Sequence, residues 1–264
     1  MATLIAFDTA TERMTIAVGR GELVFTHDAA GGARASAALL PAILGLLREA
    51  GIAIADLDAI AFGRGPGAFT GLRTACSVAQ GLAFGADKPV LPIDSLLAVA
   101  EDAREGRSAL RVWSLIDARM DEIYAAEYEY ERGRWTTHVA PFLTDCDALA
   151  ARWRDAPPAA VAGNAIAAFG ARLATGPAML FPNAAPCAVA LLRLAQQAWA
   201  DGATVDPALA LPLYVRDKVA ETEAERAAHS AARSAARDRA APAPLRAPPS
   251  EREGRAPSEP LSKP

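Results

Sequence analysis

The sequence predicts an α/β protein of two related halves, followed by a tail expected to be disordered. Three observations carry this. Each half opens with strand candidates separated by turn signals and continues as alternating strands and helices, the pattern of layered α/β folds. Apolar residues make up 52% of the 264 residues, ample for packed cores. Residues 227–264 change character abruptly: these 38 residues hold 11 Ala, 7 Pro, 6 Arg and 5 Ser and no aromatic residue. Such a segment buries too little apolar surface to offset chain entropy. The resulting division is 1–108, 109–226 and 227–264.

In the first half, Thr3 to Phe7, Met14 to Val18 and Glu22 to Thr26 read as three short strands, with Gly19-Arg20-Gly21 as a turn signal. Leu39, Leu40, Ile43, Leu44, Leu46 and Leu47 repeat at helical spacing, and Gly51 ends the run. Pro41 belongs in the first turn of that helix, where its missing N–H is harmless, or else kinks it. Leu57 to Phe62 is a strand closed by the glycine-rich Gly63 to Gly67, a helix follows from Phe69 to Phe84, and Val90 to Ile93 is a further strand. Ser95 is the expected cap of a helix reaching Arg104.

The second half repeats the scheme. Leu110 to Ile116 and Glu122 to Tyr130 are strands joined by Asp117-Ala118-Arg119-Met120-Asp121, and Trp135 to Ala140 extends them. Asp145 starts a helix through Trp153. Ala159 to Ala162 is a short strand, Asn164 caps Ala165 to Leu173, and Cys187 to Trp199 is amphipathic.

Composition excludes several classes. The 27 Lys and Arg against 31 Asp and Glu leave a net charge of -4, unlike a protein that coats nucleic acid. No apolar run approaches the ~20 residues of a membrane span. Met1 to Phe7 lacks a basic flank, which argues against a secretory signal, and a cytoplasmic location is expected. Cys76, Cys146 and Cys187 are odd in number and scattered, as reduced thiols are. His27, His138 and His229 lie far apart, so no metal site is expected. There is no phosphate-loop motif and no nucleophile-elbow motif.

What remains is glycines, two aspartates and small-residue helices. Gly63 to Arg73 sits between a strand and a helix, where backbone N–H groups around Gly65 and Gly67 can converge on an anion; equally, the glycines permit a tight turn and close packing. A helix N-terminus supplies an anion only about 0.3 to 2 kcal/mol, against about 8 for micromolar binding. Asp8, beside Thr9, and Asp117 end the first strand of each half. They either face each other to hold a metal-nucleotide or cap hairpin turns, and spacing alone favours the turns. Leu40, Leu44 and Leu47 form one helix row and Leu39, Ile43 and Leu46 another. Either both are enclosed, or one is a subunit interface. The next helix carries Gly71, Ala75, Ser77, Ala79, Gly81 and Ala83, small enough to admit a close neighbour.

Taken together, Ile5 to Thr11, Leu39-Leu40-Pro41-Ala42-Ile43, Gly63 to Arg73, Asp117 to Tyr124 and Leu211-Pro212-Leu213-Tyr214-Val215-Arg216-Asp217-Lys218-Val219-Ala220 resemble the TsaB (YeaZ) family, in the family's order over residues 1 to about 226. The resemblance implies an actin-like (ASKHA) fold of two RNase H-like subdomains. It implies a chain without catalysis of its own, which scaffolds a TsaD-type transferase forming threonylcarbamoyladenosine (t6A) beside the tRNA anticodon. A TsaE-type ATPase docks on that pair, tRNA is met through the complex, and the lone chain forms a homodimer through the same surface. The implied interface is Leu40, Ile43, Leu44, Leu47, Phe69, Leu72, Arg73, Cys76 and Ala79. No cofactor is required by this chain; ATP or ADP with magnesium at the partner interface is the open point. Family members commonly carry His-Ser where Ala35-Ser36 stands here. The competing readings are an independent actin-like ATPase or small-molecule kinase using Asp8 and Asp117, and a peptidase, for which no nucleophile–base pair can be named.

Overall fold

A computed structural model describes residues 2–216; the proposed tail, 227–264, lies outside the described residues. The first half forms β1 (Thr3–Asp8), β2 (Arg13–Arg20), β3 (Leu23–Ala30), α1 (Ala35–Glu49), β4 (Ala59–Gly65), α2 (Phe69–Ala86), β5 (Val90–Asp94) and α3 (Ser95–Arg104). The second forms β6 (Leu110–Arg119), β7 (Glu122–Glu131), β8 (Arg134–Thr144), α4 (Cys146–Asp155), β9 (Ala160–Ala162), α5 (Ala165–Phe169), β10 (Met179–Phe181) and α6 (Ala188–Ala200).

Each half builds a five-stranded sheet. The first has the order β3-β2-β1-β4-β5, and the second the order β10-β9-β6-β7-β8. Read from opposite ends these are one topology: an antiparallel three-strand meander whose first strand also pairs in parallel with the fourth, and the fourth with the fifth. The duplication expected from the sequence is therefore present in the backbone. β1 is central, with Ile5 opposite Val18 on one side and Ile60 on the other, and all six of its residues are buried. This is why Thr3 to Phe7 reads as a continuous apolar run and not an alternating one.

The helices do not respect the boundary at residue 108. α3 packs Leu96, Val99, Ala100 and Ala103 into a core with Val112, Ile116 and Tyr128 of the second sheet. α6 packs Ala188, Leu191, Leu192 and Ala195 onto Leu4, Ala6 and Ala17 of the first. Each half thus lends a helix to the other's sheet. Sequence order could not show this, because both helices are apolar enough to serve either layer.

Several local expectations are corrected. α1 starts at Ala35, so Pro41 lies in its second turn and not its first. Ser95 does not cap α3; its hydroxyl donates to Asp8 Oδ2 at 2.6 Å. Asn164 does not cap α5 either, and its Oδ1 accepts from the Asp117 N–H at 2.9 Å. Asp145 does cap α4, accepting from the Ala148 N–H at 2.8 Å. β10 is not among the strands read from the sequence.

The two leucine rows of α1 separate differently from the sequence reading. Leu39, Ile43, Leu46 and Leu47 are buried in the core formed with β1, β2 and α2, whereas Leu40 and Leu44 stay 41% and 38% exposed. Ile43→Ala is expected to cost about 2 to 4 kcal/mol by leaving a cavity, and Leu44→Ala less than about 0.5 kcal/mol. Chemical denaturation of the two variants distinguishes them.

Candidate functional site

The glycine-rich segment and the two aspartates meet the rest of the chain as follows. β1 ends at Asp8 and turns through Thr9 and Ala10, directly above the β4–α2 connection. The Ala10 carbonyl accepts the Ala68 N–H at 2.7 Å, and the Thr9 hydroxyl donates to the Gly71 carbonyl at 2.7 Å. A Cβ on Gly63 would overlap the Asp8 carboxylate, one on Gly71 would overlap the Thr9 carbonyl, and one on Gly67 would strike Ala10. The glycines are there so that two backbone segments can touch. The turn after β1 therefore lies directly against the connection that leads into α2.

The candidate nucleotide residues make the following contacts within the chain. Asp8 and Thr9 are buried, Asp8 accepting from Ser95 Oγ and, at 2.6 Å, from the Ala10 N–H. Gly65 is buried too, beneath Leu72 and the Leu213 carbonyl. Asp117 closes the β6–β7 turn, accepting the Arg119 N–H at 2.8 Å and pairing with its guanidinium at 3.3 Å. The turn role left open for Asp117 is the one it plays. As folded, Asp8 and Thr9 bond to Ser95, Ala10 and Gly71, and Asp117 bonds to Arg119 and Asn164.

Burial sets the protonation of Asp8. It pushes the carboxyl up to about 6, against the lowering effect of the bonds from Ser95 and Ala10. The three thiols are free, and burial raises each: Cys76, Cys146, and Cys187 to about 11. None has the lowered value of an activated nucleophile. Among the described residues, no three His, Cys, Asp or Glu side chains converge as metal ligands.

The implied interface residues divide between core and surface. Ile43, Leu47, Leu72, Cys76 and Ala79 are at most 5% exposed and belong to the interior. As contact residues they are corrected: they shape the helices from beneath. Leu40, Leu44 and Arg73 are exposed, and Phe69 is half-buried. Between the two helices runs an open groove of about 450 Å³ lined by Ser36, Phe69, Thr70, Arg73, Thr74, Ser77 and Val78. Ala35, where the family commonly has His, is buried at the start of α1, while Ser36 faces the groove.

One element was missing from the candidate residues. After a short 3-10 turn at Pro207–Leu209, the chain crosses α2 as an extended strap. Gln80 Nε2 donates to the carbonyls of Pro207 and Ala210, the Leu213 N–H donates to the Arg64 carbonyl at 2.7 Å, and Arg73 Nε donates to Tyr214 Oη at 3.0 Å. Arg216 then reaches the second half, donating to the Ala118 carbonyl and pairing with Glu122 at 2.5 Å. The signal for it was the Leu211 to Arg216 motif, which the resemblance singled out without assigning it a role.

Comparison with known proteins can now be set beside this geometry. The family model described as "TsaD: tRNA N6-adenosine threonylcarbamoyltransferase" matches residues 31–236. The chain is 33% identical to the tRNA threonylcarbamoyladenosine biosynthesis protein TsaB of Escherichia coli (strain K12), over 82% of this chain and 96% of that one. It is 44% identical to the TsaB of Haemophilus influenzae over 50% of this chain, a match spanning 56% of that relative's length. Among solved structures, YeaZ from Pseudomonas aeruginosa has a TM-score of 0.74 at 39% identity, covering 81% of this chain and 100% of that one. Another, described as having similarity to peptidase YeaZ from the same organism, has a TM-score of 0.75 at 39% identity, covering 82% and 100%. Paired sheets of one topology, each flanked by helices, define an actin-like protein of two RNase H-like subdomains. Within that class the chain belongs to the TsaB (YeaZ) family, part of the wider group that the TsaD model describes.

Two outcomes test the cradle. Gly71→Ala is expected to destabilise the fold by about 1 to 3 kcal/mol, because α2 must move off Thr9, as thermal unfolding would read. The raised Asp8 value means that the native state holds this proton more tightly than the unfolded chain. Its stabilising contribution is full below pH 4 and is lost as pH rises towards 6, by about 3 kcal/mol at roughly 1.36 kcal/mol per pH unit. Urea unfolding should show Asp8→Asn gaining on the parent protein by about that amount between pH 4 and pH 7.

Proposed function

We propose that this chain is a non-catalytic scaffold for a TsaD-type transferase that forms t6A on the tRNA adenosine next to the anticodon. The observation carrying this is the outer face of α1: Leu40 and Leu44 stay exposed on a helix whose other leucines are core, beside an open groove along α2. Large apolar side chains grouped at a groove mark a surface that a partner covers. The names of the relatives supply the pathway. A TsaE-type ATPase would join the assembled pair, and tRNA would be met through the complex. In the absence of the transferase, a second copy would occupy the same face. The chain requires no cofactor of its own; ATP or ADP with magnesium, where the assembly uses it, would sit at the partner interface. The cytoplasm, where tRNA is modified, is the compartment this reading requires; among the described residues no helix is long and apolar enough to cross a membrane.

The competing readings lack equipment. The independent ATPase or kinase reading finds less support, since Asp117 closes a turn with Arg119 and the relatives are named as tRNA-modification proteins. A peptidase needs an activated nucleophile or a metal site, and the raised thiols and the scattered His27 and His138 provide neither. His138 instead pairs with Glu129 at 2.6 Å.

Reconstitution tests the proposal. The purified chain alone should modify no tRNA, and should restore t6A formation when added to the transferase and the ATPase. Leu40→Asp with Leu44→Asp should keep the fold and weaken transferase binding by about 100-fold or more, since two buried contacts become desolvated carboxylates. Undiminished binding in a titration would remove α1 from the interface.

A further inference from the structure

The groove along α2 holds an arginine that the fold has positioned and that has no counter-ion among the described residues. The Arg73 Cζ sits over the Phe69 ring, 3.9 Å from the centroid. Its Nε donates to Tyr214 Oη at 3.0 Å, and the Phe69 and Tyr214 rings sit 5.2 Å apart. The remaining guanidinium N–H groups meet no carboxylate among the described residues, and the other groove residues, Ser36, Phe69, Thr70, Thr74, Ser77 and Val78, carry no charge. Tyr214 is itself held from both sides, by the Leu213–Arg64 backbone bond and by Arg216 on Ala118 and Glu122.

A free arginine loses rotamer entropy when a partner fixes it. Here part of that cost is met before binding by the Phe69 and Tyr214 contacts, and preorganisation of this kind marks binding anchors. We propose that Arg73, with Tyr214 as its positioning residue, is a preformed docking cation for an Asp or Glu side chain of the transferase-type partner. The inference rests on the docking reading above and deepens it. Charge complementarity selects the occupant. A surface that tracks phosphates spreads several cations along its path, but among the described residues Arg73 is the single cation lining this groove, and Ser36 stands one helical turn from the exposed Leu40. An isolated cation beside exposed leucines suits one acid within a protein interface.

The test is calorimetric titration of the full chain with its transferase partner at several salt concentrations. Arg73→Ala should raise Kd by about 30-fold or more and flatten its salt dependence. Tyr214→Phe, which keeps the exposed ring and removes one hydroxyl, should raise Kd about 3- to 10-fold. Added to Arg73→Ala, Tyr214→Phe should cost nothing further, because its effect passes through the guanidinium. Independent, multiplying effects would overturn the positioning role. If both single variants bind like the parent while the Leu40 and Leu44 carboxylate variants do not, the docking face stands and this inference falls. If the parent chain itself fails to bind, the docking reading fails first. Loss confined to tRNA-dependent assembly, with binary binding intact, would mean that the contact is a phosphate and overturn the acid assignment.

Discussion

Two backbone segments of the first half touch, and most of the molecule's character follows from that contact. The turn after β1 presses Thr9 and Ala10 against the β4–α2 connection so closely that Gly63, Gly67 and Gly71 have no room for a side chain. The bonds across the contact, Thr9 Oγ1 to the Gly71 carbonyl and the Ala68 N–H to the Ala10 carbonyl, satisfy polar groups that would otherwise need water or a ligand. In an α/β fold the mouth between a strand end and a helix N-terminus is where anions bind. Here the turn after β1 lies against that mouth.

The same contact fixes the outer face of α1 and α2, the proposed docking surface. α2 is held at its N-terminus by the turn, along one side by the core residues Leu72, Ala75, Cys76 and Ala79, and across its outer side by the strap from Pro207 to Arg216. α1 lies beside it, with Leu39, Ile43, Leu46 and Leu47 turned inward. A helix clamped on three sides shows a partner the same surface each time, which lowers the ordering cost of association. The strap also ties that surface to the second half through Arg216, on the hairpin where Arg119, Met120 and Asp121 all adopt positive φ. Arg119 bridges back to Glu12 at 2.7 Å, close to the β1–β2 turn. The exchanged helices α3 and α6 make the halves share cores as well as contacts.

Much of this was legible in the residues alone. Apolar runs and turn signals placed the three-strand openings of both halves, and Gly51 stops α1 with φ +64, as helix-ending glycines do. The Asp145 cap and the α4, α3 and α6 helices follow from local chemistry, because capping and amphipathic spacing act within a few residues. The motif series pointed to the family without any knowledge of the fold. Other features were illegible for a common reason. Whether Leu47 or Leu40 faces out depends on where α2 and β2 lie, not on the repeat in α1. Whether Ser95 caps a helix or serves Asp8, 87 positions away, depends on long-range pairing.

The sequence by itself determined the layered α/β class, the duplication, the glycine-rich segment as a place of unusual backbone, and the family. Those properties are written in composition, in local periodicity and in contiguous motifs. Only the tertiary structure decided that the turn after β1 lies against Gly67 and Gly71, that five of the nine expected interface residues are buried, that α3 and α6 serve each other's sheets, and that Tyr214 holds Arg73. Each of these is an encounter between residues far apart in the chain. An encounter of that kind is set by packing, in which a side chain's direction is chosen by its neighbours in space and not by its neighbours in sequence.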